Sequence, residues 1–291
     1  MFELQIKPCA ENEAEIVSEL LEAFGALSVT MVDGADTPIL EPAPGETPLW
    51  DNLVLQAHFA TEAEAEEAWE VVTKNHPRLQ HELCELPEQD WVRSSIADIK
   101  PKQFGENLWV CPSWLEPPDE AKTYILLDPG LAFGTGTHPT TSLCLQWLGS
   151  HDVSGQSVID FGCGSGILAL AALKLGASKA YAVDIDEQAL IATKDNAEKN
   201  SIALDKLICE KPEALSQPAD LMLANILLTP LLDLKEKLVT LTKPSGTLLL
   251  SGILKTQAQE VIDAYTGLGL RHINTAYEDE WALIELRKST P

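Results

Sequence analysis

The residues Val158-Ile159-Asp160-Phe161-Gly162-Cys163-Gly164-Ser165-Gly166-Ile167-Leu168 join an apolar strand pattern to a glycine-rich turn and then to an apolar helix pattern. Glycines at such a junction let the backbone pass close to a ligand, while the first N–H groups of the helix point towards it. Twenty-two residues past Gly162, a second short apolar run ends in Val183-Asp184-Ile185-Asp186. An acid at the carboxyl edge of a second parallel strand is placed to accept both hydroxyls of a ribose. Asp186 reads instead as the N-cap of a helix over 187–200. A third run, Asp220-Leu221-Met222-Leu223-Ala224-Asn225, places an Asn at the same edge. Its side-chain carbonyl can accept an amine N–H and so aim a nitrogen lone pair. A turn-capping role for Asn225 is the plainer alternative.

The spacing of the glycines bears on the ligand. Dinucleotide sites use G-x-G-x-x-G. Here the third glycine comes one residue early, and Ile167 occupies the position where close packing is required. S-adenosylmethionine has no pyrophosphate to cradle, and a loop backed by Asp160 suits its methionyl carboxylate and ammonium. A nicotinamide dehydrogenase would share Asp184 but not this spacing. The segment Asp128-Pro129-Gly130-Leu131-Ala132-Phe133-Gly134-Thr135-Gly136-Thr137-His138-Pro139-Thr140-Thr141 reads as a flap over the cofactor. Its hydroxyls can bond a carboxylate, and Phe133 can cover the cofactor or the target. His138 has the chemistry of a general base, but a turn residue before Pro139 is at least as good a reading, and it is not assigned a catalytic role.

These residues need elements to hold them. From Ser157 onward strand and helix patterns alternate, the signature of a mostly parallel α/β sheet. Strands are expected at 157–161, 179–183, 207–210, 221–224, 246–251, 272–277 and 281–286, with the last two joined by Glu278-Asp279-Glu280 and therefore antiparallel. That is a doubly wound fold of the methyltransferase type, with one antiparallel strand. The front of the chain reads differently. Strand patterns at 2–7, 27–32, 53–59 and 81–86 and helices at 11–24 and 61–75 give the order β-α-β-β-α-β, that of a small ferredoxin-like α+β domain. Thr61 with Glu64 forms a capping box, and 37–48, with four prolines, reads as a loop. The expected organisation is a domain over 1–87, a linker over 88–120 and an α/β domain over 121–291. Within the linker, a helical turn near 88–99 and a strand near 107–111 are expected.

Composition bounds the function. The chain has 291 residues and 45% hydrophobic residues, enough for two cored domains. No run approaches the length of a membrane span, and the start lacks a signal-peptide layout, so a cytoplasmic protein is expected. The six cysteines form no CxxC pair, which favours reduced, mostly buried thiols over a metal site or disulfides. The net charge is −25, with 25 acids against 6 bases in 1–120 and 20 against 14 in 121–291. Such a surface repels phosphate backbones and attracts basic partners.

Taken together, 129–141, Asp160–Gly166, Asp184-Ile185-Asp186, Ala224-Asn225-Ile226 and Ser251-Gly252-Ile253-Leu254 resemble the bacterial methyltransferases of ribosomal protein eleven of the large subunit, over essentially the whole chain. The resemblance implies a class I S-adenosylmethionine-dependent enzyme, releasing S-adenosylhomocysteine, that trimethylates the N-terminal α-amine and lysine ε-amines of that protein. It implies that the first domain recognises the basic substrate and that the linker lets it swing. It further implies Thr141, Gly162, Asp184 and Asn225 as cofactor contacts with Phe133 near them; Gly164 and Asp160 complete the expected set, and Asn225 is the expected catalytic residue. A monomer with no metal, no membrane association and no direct nucleic-acid binding is expected. Methylation of another protein, a small molecule or an RNA base is the alternative. Asn-Ile-Leu in place of Asn-Pro-Pro counts against the base.

Overall fold

The structure, a computed structural model, describes residues 1–35, 39, 48–50, 52–86, 100–128, 136, 138–203 and 205–290, excluding the side chains of Pro8 and Glu11. It divides into two compact units, Met1–Ala97 and Asp98–Pro291. Most of the loop expected at 37–48, the helical turn near 88–99 and most of the flap lie outside the described residues.

In the first unit, β1 (Phe2–Cys9), β2 (Ser28–Asp33), β3 (Leu53–Phe59) and β4 (Gln80–Glu85) form one sheet in the order β2-β3-β1-β4, with every neighbouring pair antiparallel. The alternation in β3 is complete: Leu53, Leu55, Ala57 and Phe59 are buried and the residues between them are half-buried. That period of two lays one face of the sheet under α1 (Glu11–Ala23) and α2 (Glu62–Asn75), which contribute Ala14, Val17, Leu21, Ala65, Ala68 and Val72 to the same core. The capping box at the start of α2 forms, with Thr61 N donating to Glu64 Oε2 at 3.0 Å and Glu64 N donating to Thr61 Oγ1 at 3.3 Å. This is the ferredoxin-like arrangement expected from the order of elements.

The second unit begins earlier than expected. Residues 100–120, read from sequence as linker, form β5 (Lys102–Phe104) and β6 (Leu108–Cys111), which join β7 (Tyr124–Leu126) in a small three-stranded sheet. Phe104, Leu108, Val110 and Ile125 are buried in the core of the α/β unit, so burial of these side chains ties the stretch to that unit.

The main sheet runs β10-β9-β8-β11-β12-β14-β13, with β8 at Ser157–Phe161, β9 at Lys179–Val183, β10 at Leu207–Glu210, β11 at Ala219–Asn225, β12 at Thr242–Leu254, β13 at Leu270–Glu278 and β14 at Trp281–Lys288. Only β14 is antiparallel; it inserts between β12 and β13. The central strands β8, β11 and β12 are apolar on both faces, as buried parallel strands are. Val158, Leu221, Leu223 and Leu249 pack into a core with α3 (Pro139–Ser150) and α4 (Ile167–Lys174). Ile159, Phe161, Met222 and Leu250 pack on the other face with α6 (Leu228–Asp233), α7 (Lys235–Thr240) and α8 (Ala258–Thr266). α5 (Glu187–Lys199) follows β9. β12 is longer than hydropathy suggested because it extends through Lys243-Pro244-Ser245 at its amino end.

At that end of the sheet Asp220 fastens β8 to β11. Its Oδ2 accepts from Ser157 N at 2.9 Å, Ser157 Oγ at 2.6 Å and Lys243 Nζ at 2.9 Å. Partial burial acts to raise its pKa, but the Ser157 hydroxyl and amide and the Lys243 ammonium outweigh it and hold the carboxyl at about 2. A carboxyl held below its unfolded value, about 3.9, contributes stability above that value and loses it as pH falls. Asp220→Asn is therefore expected to lower the urea midpoint at pH 7. The gap to the parent protein should shrink as pH is lowered from about 5 towards 2; a gap independent of pH would remove the electrostatic account.

Candidate functional site

Three carboxyl ends of neighbouring strands meet at one edge of the main sheet, and the first is a turn that only glycine can make. Gly162 has φ 80°, and a Cβ there would collide with the Ile226 side chain. Gly166 has φ 79°, and a Cβ there would lie 2.6 Å from Thr193 Cγ2. Both are left-handed conformations that side chains disfavour. The turn is also tied to the next strand. Gly162 N and Cys163 N both donate to Val183 O, at 2.7 and 3.0 Å, and Gly164 N donates to Asp184 Oδ2 at 3.0 Å. The other oxygen of Asp184 accepts from Asp186 N at 3.0 Å, and Asp186 Oδ1 accepts from Gln188 N at 2.9 Å as the expected N-cap.

Asp160 sits one residue before the end of β8 and is 1% exposed. The N-cap of α4 is Gly166, which has no side chain to offer, and Asp160 Oδ2 supplies the missing acceptor by taking Ala169 N–H at 3.0 Å. Burial pushes its pKa up to about 7; the Ala169 bond opposes this and the Asp184 charge adds to it. A buried carboxyl in that condition is a ready acceptor for a cationic group brought to the edge.

Asn225 closes β11. Its Nδ2 donates to Thr141 Oγ1 at 3.2 Å, which fixes the amide plane, while its Oδ1 is buried and has no hydrogen-bond partner among the described residues. Thr141 itself is 1% exposed, on the first turn of α3. A buried carbonyl oxygen without a donor costs about 1–3 kcal/mol, so the position is poised for a ligand N–H. Thr141, Asp160, Gly162 and Asn225 line one small cavity together with Cys163, Ile167 and Leu168. Its volume is about 20 Å³, room for roughly one water-sized group, so it receives one polar end of a ligand rather than the whole of it.

Of the expected residues, Thr141, Asp160, Gly162 and Asn225 thus share a cavity, and Gly164 and Asp184 adjoin it through their mutual bond. Phe133 lies outside the described residues. His138 is the N-cap of α3: its Nδ1 accepts from Thr140 N at 3.3 Å, and its ring meets Trp281 edge-on with centroids 4.9 Å apart. Burial lowers its pKa.

Sequence reading missed the bracing beneath the loop. Thr193 Oγ1 donates to Gly164 O at 3.1 Å and Asn196 Nδ2 to Ser165 O at 2.9 Å, so successive turns of α5 hold two carbonyls of the glycine turn. The only sequence signal was a pair of polar residues three apart on the helix after Asp186, which does not distinguish a buried brace from a solvent face. Ser251 is fully buried and its one hydroxyl proton lies between Ala282 O, 3.0 Å from Oγ, and Thr140 O, 3.3 Å from it, tying the start of α3 to the sheet. Among the described residues no group of three or more His, Cys, Asp or Glu converges as metal ligands would, and no helix is long and apolar enough to cross a membrane.

This geometry coincides with a family match over nearly the whole chain. The model of the ribosomal protein L11 methyltransferase (PrmA) family matches residues 1–289. The ribosomal protein L11 methyltransferase of Legionella pneumophila (strain Corby) is 49% identical over 283 residues, covering 97% of this chain and 98% of its own. That of Hahella chejuensis is 48% identical over 288 residues, covering 98% of each. A crystal structure of ribosomal protein L11 methylase from Lactobacillus delbrueckii subsp. bulgaricus superposes with a TM-score of 0.60 at 31% identity, covering 65% of this chain and all of that one. The chain, a ferredoxin-like unit followed in sequence by a class I methyltransferase unit, belongs to the ribosomal protein L11 methyltransferase family.

Proposed function

We propose that the protein transfers methyl groups from S-adenosylmethionine to the N-terminal α-amine and to lysine ε-amines of ribosomal protein L11, in the cytoplasm. The observation that carries this reading is the buried, partnerless Oδ1 of Asn225 beside a glycine turn backed by Asp160. The chain's own residues fit the donor. The Gly162–Gly166 turn and Asp160 would hold its methionyl end, Thr141 would offer a hydroxyl to the carboxylate, and Asp184 would accept the ribose hydroxyls. When bound, S-adenosylmethionine supplies a methyl already activated on a sulfonium, so positioning and desolvation are what the protein must add.

Asn225 is the positioning centre. Thr141 fixes its amide, and Oδ1 is left to accept an N–H from the incoming amine, which turns the nitrogen lone pair towards the methyl. The amine has to be neutral. An α-amine, with a pKa of about 7.7–8.0, sheds its proton near neutrality; a lysine, at about 10.4, does so only with help from burial. No dedicated base is assigned, and water or weak acceptors take the proton. The first unit suits a basic protein: Glu15, Glu19 and Glu22 on α1 and Glu62, Glu66 and Glu70 on α2 are exposed, which favours long-range attraction of such a partner.

Incubation with radiolabelled S-adenosylmethionine and total ribosomal proteins is expected to label L11; label in RNA, or heat of binding with a nicotinamide and none with the sulfonium donor, would overturn the assignment. Asn225→Ala is expected to slow methyl transfer by about 10–100-fold, the equivalent of one lost hydrogen bond to a charged or charging group, with donor affinity less affected. Turnover near the parent value would remove Asn225 from this role. Rates on an α-amine peptide should level off above about pH 8, while rates on a lysine peptide with a blocked terminus should keep rising to about pH 10. Identical profiles for the two would show that a protein group, not the amine, controls the pH dependence.

A further inference from the structure

At the opposite end of the main sheet from the glycine turn, two arginines face each other. Arg271 on β13 and Arg287 on β14 are direct cross-strand partners, and both are exposed. Like charges at directly opposed positions of an antiparallel pair are destabilising. Neither guanidinium makes an ion pair among the described residues; Arg287 donates only to Thr247 Oγ1, at 3.3 Å. Glu285, on the same face two residues along β14, accepts from the Trp147 indole N–H at 3.0 Å. Lys288, the next residue of β14, turns to the other face of the sheet, where its Nζ donates to Val239 O and Thr242 O, both at 2.7 Å. In a chain with 45 Asp and Glu against 20 Lys and Arg, two facing arginines without an ion pair among the described residues run against the composition.

The two arginines and Lys288 line a cavity of about 400 Å³ with Ser245, Ser289 and Thr290. Ser245 lies at φ 61°, a left-handed conformation that a serine seldom adopts, and its hydroxyl stands 3.2 Å from that of Thr290. No carboxylate residue lines this hollow among the described residues. Two planar guanidiniums beside a pair of hydroxyls match the multiple acceptor oxygens of a phosphate, which arginine engages two at a time.

We infer that the cleft lined by Arg271, Arg287, Lys288, Ser245 and Thr290 is a binding site for a small phosphate-bearing anion, such as a pyrophosphate or the phosphates of a nucleotide. A compact anion fits better than a nucleic-acid backbone, because the net charge of −25 opposes the approach of an extended polyanion. The site lies at the amino ends of the parallel strands, away from the methyl-transfer edge, so its occupancy acts on stability rather than on the donor site.

The intact protein and Arg271→Gln and Arg287→Gln variants would be titrated with pyrophosphate by calorimetry and followed by thermal melting at constant ionic strength. Pyrophosphate is expected to raise the Tm of the parent protein, and either substitution to weaken its binding at least tenfold. In phosphate-free buffer the variants should melt at or above the parent temperature, because the facing charges are relieved; with pyrophosphate they should melt below it. That change of order separates a ligand site from a merely structural pair. Absence of binding to the parent protein, undiminished binding to the variants, or variants that melt lower in both buffers would overturn the site. Tighter binding of an oligouridylate than of pyrophosphate, lost with the same substitutions, would overturn the small-anion assignment.

Discussion

Everything at the edge of the sheet that holds the candidate site hangs on the lashing of the turn after β8 to the end of β9. Two successive backbone N–H groups, those of Gly162 and Cys163, converge on the single carbonyl of Val183, and the third donor, Gly164 N, takes the carboxylate of Asp184. A turn with that many donors facing sideways needs left-handed backbone, hence Gly162 and Gly166. It also leaves α4 without a side chain at its N-cap. Asp160 resolves that shortfall by reaching up from the strand to Ala169 N, and the consequence is a carboxyl buried beneath the loop with its pKa pushed up to about 7. Loop shape, helix start and buried acid are therefore one constraint with three faces.

The same logic explains why the loop is braced from outside. Left-handed glycines gain more conformational freedom on unfolding than other residues, and a turn made of three of them would sample other shapes if nothing held its carbonyls. Thr193 and Asn196 hold two of those carbonyls from α5, and α5 is itself started by Asp186, two residues beyond Asp184. One short segment, Asp184-Ile185-Asp186, thus supplies the acid that bonds the turn and the cap of the helix that supports it. On the other flank, Ser251 pins the first turn of α3, which carries Thr141, and Thr141 in turn fixes the Asn225 amide. The partnerless oxygen of Asn225 is held in place by neighbours on β12 and α3 rather than by its own strand alone.

Much of this was legible in the sequence, and unevenly so. β3, β8, β9 and β10 fall where strict apolar patterning put them, because a strand with a buried face cannot slip by one residue without exposing its core side. The turn, Asp160, Asp184 and Asn225 were legible because their chemistry is local: each is read from residue type and position at a strand end. The attachment of residues 100–120 was not. Phe104, Leu108 and Val110 look like scattered apolar residues in a proline-containing stretch, and only the long-range burial of these side chains beside Ile125 shows that they belong to the α/β core. Thr193, Asn196 and Ser251 were hidden for the same reason: a polar residue on a helix or in a strand says nothing about its partner until the partner is in space.

The two ends of the sheet also carry different pairs of like charges. At the carboxyl ends of the parallel strands Asp160 and Asp184 sit close enough that the charge of one raises the pKa of the other, an arrangement that favours cationic ligand groups. At the amino ends, Arg271 and Arg287 oppose each other across β13 and β14. Parallel strands, unlike antiparallel ones, give every strand end at one edge the same chemical sense, so the edge where the turns open gathers the site, while the other edge is free to take on a role of its own. β14 is the exception that makes this possible. Being the single antiparallel strand, it carries its carboxyl-terminal residues, Arg287 and Lys288, to the end of the sheet away from the glycine turn, and there they meet the first residues of β13.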